Sequence, residues 1–140
     1  MSDRIKFEME FPIKVSQKLL FKYISTPSGL SEWFADNVNS RGEIFIFIWD
    51  DSEESAKLLR KNNNEKIQFQ WLDDEDSDYY FELKIQFDEI TKDVSLIVTD
   101  FAEDEEEVEE TKLLWTNQIS DLKKVLGCLL YTSPSPRDET

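Results

Sequence analysis

Histidine is absent from this chain of 140 residues, and cysteine occurs once. Without imidazole, no side chain has an ordinary titration spanning neutral pH. Ser-His and Cys-His nucleophilic pairs are excluded, as is any histidine ligand for zinc or non-haem iron. One cysteine cannot form an intrachain disulfide. The three glycines do not make a phosphate-cradling loop. No apolar run follows Met1, so no signal peptide is expected. No stretch of about 18 apolar residues exists to cross a membrane. Cations are outnumbered, 16 Lys and Arg against 31 Asp and Glu, for a formal charge of −15. That balance opposes nucleic acid, whose phosphates are held by Lys and Arg displacing counterions, and it opposes anionic membrane surfaces. It favours solubility. These features predict one domain of ordinary size in the cytoplasm.

What is present is aromatic and periodic, with ten Phe, four Tyr and four Trp. Lys6 to Phe11 alternates, placing Phe7, Met9 and Phe11 on one face of a strand. Ser16 suits an N-cap for a helix over Gln17–Ser25 carrying Leu19, Leu20, Tyr23 and Ile24. Pro27 should end that helix, and Ser31 to Ala35 should form a second short helical turn bearing Trp33 and Phe34. Glu43 to Trp49 is apolar on both faces, so one face is expected to meet the core. The other face should meet the short helices or a second subunit, with Phe47 and Trp49 the residues least easily covered. Ser55–Lys61 and Lys66–Leu72 flank Asn62-Asn63-Asn64 and read as a hairpin, with Ile67, Phe69 and Trp71 pointing one way. Tyr79–Phe87 alternates, Phe81, Leu83, Ile85 and Phe87 inward. Val94–Phe101 is the last strand. Glu103–Leu126 reads as a long helix whose stripe is Val108, Thr111, Trp115, Ile119, Leu122 and Leu126, widened by Leu114 and Val125. The acidic run Glu103–Glu110 complements the helix dipole, and Gly127 suits its end.

Carboxylates are the one abundant source of chemistry. Asp73, Asp74, Glu75, Asp76 and Asp78 crowd a loop expected to be solvated. A weak Ca²⁺ site there would use oxygen ligands, but the spacing lacks the glycine and terminal Glu of an EF-hand loop. Asp100 shares strand parity with Leu96 and Val98. It is expected either to face inward at the sheet end or to cap the helix that follows. The residues assign no catalytic group, no metal and no cofactor.

The segment Thr26-Pro27-Ser28-Gly29-Leu30-Ser31-Glu32-Trp33-Phe34 follows a strand and a first helix, and precedes apolar strands and one long amphipathic helix. That order resembles the START-like group of the SRPBCC, or helix-grip, superfamily, nearest the branch of the AHSA-type co-chaperones. The resemblance covers residues 1–127. It implies an α+β fold: a curved antiparallel sheet of about six strands, two short N-terminal helices, and a long C-terminal helix on the concave face. In such domains the space between sheet and helix often holds an apolar or amphipathic molecule. The candidate lining is Trp33, Phe34, Phe69, Trp71, Phe81, Leu83, Ile85, Leu96, Val98, Trp115 and Ile119. The same residues would serve equally as a dry core. Two functions follow from the resemblance, a non-enzymatic domain binding a small ligand or an interaction domain meeting a basic protein partner. The expected assembly is a monomer or a homodimer, with no membrane insertion.

Residues Cys128–Thr140 differ in character. They hold the only Cys and two of the four Pro. Leu-Tyr-Thr-Ser-Pro-Ser-Pro-Arg-Asp resembles the translation of sequencing-adaptor read-through. The tail is therefore expected to be non-native and disordered, with the natural chain ending or diverging near Gly127. It carries one Arg, one Asp and one Glu, so the acidity belongs to the domain.

Overall fold

The computed structural model describes the backbone of residues 4–50 and 52–132, with side chains described up to Gly127. Its elements run β1 (Ile5–Pro12), α1 (Gln17–Ser25), α2 (Pro27–Leu30), β2 (Asn37–Arg41), β3 (Ile44–Trp49), β4 (Ser52–Asn62), β5 (Lys66–Trp71), a 3₁₀ turn (Leu72–Asp74), β6 (Phe81–Phe87), β7 (Val94–Ala102) and α3 (Glu105–Thr132). One open, curved antiparallel sheet has the order β1-β7-β6-β5-β4-β3-β2. The first strand pairs with the last at one edge of the sheet, Ile5 opposite Ala102 and Pro12 opposite Ser95.

Seven strands form where about six were expected. The addition is β2, whose sequence Asn-Val-Asn-Ser-Arg has a single β-branched residue and so little strand signal of its own. Pairing with β3 makes it a strand, closed by a two-residue turn at Gly42-Glu43. Gly42 sits at φ +62°, where a side chain would be strained.

The second short helix forms earlier than expected. Thr26 caps it, its Oγ1 accepting from Gly29 N at 3.0 Å, and Pro27 occupies its first turn, a position that needs no N–H. Ser31–Ala35 is a turn instead. Gly29 lies so close to α1 that a Cβ would meet the Lys22 carbonyl and sit 2.6 Å from Tyr23 Cα. That contact explains the glycine in the motif.

Apolar residues from every strand and all three helices form one core. In α3, Val108, Trp115, Ile119, Leu122 and Leu126 are buried, and α3 packs on β1 and β7. Leu114, expected to widen that stripe, is exposed, and so is Phe87 at the end of β6. The helix starts at Glu105, with Asp104 Oδ1 accepting from Glu107 N at 2.8 Å. It continues through Gly127 to Thr132, so Gly127 does not end it. Residues 133–140 of the expected tail lie outside the described residues.

The two faces of β3 are also distributed differently from expectation. Phe45 and Phe47 are buried on the concave side, Phe47 completely. Trp49 shares that side, with Nε1 donating to the Phe34 carbonyl at 3.2 Å. The uncovered face is the other one, carrying Ile44, Ile46 and Ile48, all half-buried.

Candidate functional site: the aromatic cleft beside the long helix

Phe34 is the hub of the concave side. Its ring lies 5.1 Å from Phe47, 5.5 Å from Trp33, 5.7 Å from Trp115, 5.9 Å from Phe81 and 6.1 Å from Trp49. Its carbonyl accepts from Trp49 Nε1 on β3 and from Gln118 Nε2 on α3 at 3.1 Å. Trp33 is fixed by its own indole, which donates to the Tyr23 carbonyl on α1 at 2.8 Å. The turn after α2 is therefore a stopper, bonded to both walls between which it sits.

Outside this stopper lies an open cleft of about 720 Å³. Its floor is Trp33, Phe34, Ala35 and Trp49, and its helical wall carries Leu114, Asn117, Gln118, Asp121, Lys124 and Val125. Ser31, Glu32 and Asp36 complete the lining, so apolar and hydrogen-bonding groups are mixed around the cleft, an arrangement suited to an amphipathic molecule.

All eleven residues singled out in the sequence meet in one cluster. Trp33, Phe34, Phe69, Phe81, Leu83, Ile85, Leu96, Val98, Trp115 and Ile119 are buried in it, and Trp71 packs at its edge. Phe69 stacks on Phe81 at 5.4 Å, Trp71 lies 5.2 Å from Phe81, and Phe81 lies 5.8 Å from Trp115. Of the eleven, only Trp33 and Phe34 line the cleft. The remaining lining was not anticipated, although Leu114, Asn117, Gln118, Asp121 and Val125 recur at spacings of three and four. That second, mixed stripe on α3 was the available signal.

On the other side of the Trp115 indole, the core is closed by charge. Asp100 faces inward, the first of its two expected positions. Its Oδ2 accepts from Trp115 Nε1 at 2.9 Å and its Oδ1 from Phe101 N at 2.7 Å. Burial pushes its carboxyl up to about 6, against the pull of those two bonds and of Arg4. Nearby, the Arg4 guanidinium meets Asp74 through two 3.0 Å bonds and approaches Glu103 at 3.4 Å. It also lies over the Tyr79 ring at 4.3 Å. The acidic loop is therefore not wholly solvated, because Asp74 is anchored by an arginine 70 positions away. Among the described residues, no three or more carboxylate or thiol side chains converge as a metal site would require. No described helix is long and apolar enough to cross a membrane.

A curved antiparallel sheet closing on one long C-terminal helix defines a helix-grip α+β domain. The START-like superfamily domain matches residues 1–128, and the chain belongs to that superfamily. The protein BfR322 from Bacteroides fragilis is similar at 35% identity, over 88% of this chain and 91% of that one, with a TM-score of 0.64. The Aha1 dimer from Colwellia psychrerythraea shares the fold at 15% identity, over 87% and 96% of the two chains, with a TM-score of 0.73. So does ChR145 from Cytophaga hutchinsonii, at 15% identity over 94% and 100%, with a TM-score of 0.72. No curated protein matches the chain.

Proposed function

We propose that this protein is a non-catalytic START-like domain of the cytoplasm that binds a small amphipathic molecule in the cleft beside α3. The apolar part would lie on Phe34 and Trp49, and the polar part would meet Asn117, Gln118 and Lys124. The observation that carries this reading is the continuity of the cleft floor with the core through Phe34. A small outward shift of the stopper, breaking the bonds from Trp49 and Gln118, would extend the cleft inward. Native mass spectrometry of the purified protein, with tryptophan fluorescence during titration with uncharged decanol, tests it, because Glu32, Asp36 and Asp121 in the lining would repel an anion. A saturable change that Leu114→Asp weakens is the expected result. No co-purifying small molecule and no saturable response would overturn it.

A second reading, interaction with a basic protein, draws on Arg4, which ties the Asp74 loop and Glu103 into one acidic face. Such a surface speeds encounter with a basic patch, and salt-sensitive capture of a basic partner from cell extract would favour it. Because the similar Colwellia protein is a dimer, we extend self-association to this chain. Sedimentation at several concentrations tests that extension.

A further inference from the structure

On the convex side of the sheet, the register places residues in three rows across β2, β3 and β4. The first row is Arg41, Ile44 and Lys57; the second is Asn39, Ile46 and Ser55; the third is Asn37, Ile48 and Glu53. The middle column is three half-buried isoleucines with small polar neighbours at its centre. The described helices pack elsewhere, α1 on β5 and β6, α3 on β1 and β7, and α2 on β2, where buried Val38 faces Phe47 on the concave side. One end of the isoleucine column is flanked by two cations and the other by one carboxylate.

We infer that this face is the contact with a second copy of the chain, related by a twofold axis running across the strands through Ile46. The inference rests on the self-association put forward above. A twofold contact is self-complementary: each patch meets itself. Two axes lie in the plane of such a contact, and charge distinguishes them. An axis along the strands would set Arg41 of one copy over Lys57 of the other. An axis across the strands instead sets Lys57 over Glu53, twice, while Ile44 meets Ile48 and Ile46 meets itself. Sheets packed face to face lie about 10 Å apart, a gap that an extended Lys and Glu can bridge. The face is only three strands wide, so association should depend on concentration.

Sedimentation equilibrium across a concentration series of the full chain, with charge-swap variants, tests this. Ile46→Glu should weaken association by about tenfold or more, because it sets two carboxylates together at the axis. Glu53→Lys, at an exposed position, should weaken it while thermal unfolding at concentrations where both chains are monomeric stays unchanged. Glu53→Lys combined with Lys57→Glu should restore it, since the swapped pairs again attract. A wild-type chain that stays monomeric would overturn both the self-association and this face. A dimer unaffected by Ile46→Glu would overturn the face and leave self-association standing. A double swap that fails to restore association would overturn the axis and with it the inference.

Discussion

Two polar closures flank the Trp115 side chain: a cleft end at the carbonyl of Phe34, whose ring lies 5.7 Å from the indole, and an acid end at the carboxylate of Asp100, which accepts from it. Both acceptors take an indole N–H, from Trp49 in the first case and Trp115 in the second. Helix α3 serves both ends, with Gln118 three residues beyond Trp115. The acceptors differ in kind. An amide carbonyl is neutral at every pH, so the cleft end is held by a fixed number of modest bonds. The Asp100 carboxyl changes charge inside a partly desolvated site, with Arg4, Asp74 and Glu103 close by. The cleft end is thus built to move without a change of charge, whereas the other end answers to pH and salt.

Removing the hub of the cleft end should have the largest effect. Phe34→Ala empties a site touching five aromatic rings and should cost about 3–5 kcal/mol in denaturant melts. A cost below about 1 kcal/mol would show that the stopper is not part of the packed core, and the contrast between the ends would fail.

The Asp100 end should respond next most strongly, through pH. Burial raises its folded pKa to about 6, above the ordinary carboxyl value of 3.8. Its contribution to stability is therefore fully present below pH about 4 and is lost as pH rises through about 6. At 1.36 kcal/mol per unit, the loss is at most about 3 kcal/mol. Asp100→Asn should remove that component, so the difference in unfolding free energy between wild type and variant should change across this window. A parallel pair of curves would show that Asp100 titrates normally. Trp115→Phe removes a donor to the charged form and should raise the Asp100 pKa further, measurable by carboxyl NMR titration.

Salt should separate the ends more gently. Arg4→Ala removes a part-exposed, two-bonded ion pair worth about 1 kcal/mol, and that loss should shrink at high ionic strength. Gln118→Ala should cost about 0.5–1.5 kcal/mol, the net value of one neutral bond, with little salt dependence. Equal salt responses would remove the distinction. Gln118→Ala is also the most informative change for the proposed cleft, because it loosens the stopper without emptying the core.

Local pattern made much of this legible. Strands β1, β5, β6 and β7 announce themselves by alternation, because each has one buried face. The aromatic cluster followed from the same parity. Strand β2 was not legible, because only its partner makes Asn37–Arg41 extended. The exposure of Phe87 and Leu114 depends on where neighbouring elements stop, which periodicity does not record. The anchoring of Asp74 by Arg4 spans 70 positions and left no local trace. The cleft's polar wall was present as a spacing on α3, but the stronger apolar stripe beside it masked it.

The pairing of β1 with β7 has a consequence in time. Ile5 and Ala102 are neighbours in the sheet but lie 97 positions apart in the chain. On a ribosome adding about 5–20 residues per second, the first strand waits on the order of 5–20 s before its only sheet partner exists. Hairpins β2–β3 and β4–β5 can close locally in that interval. The first strand made is the last to be stitched in, so ribosome-bound chains ending before Val94 should leave Ile5–Pro12 open to protease.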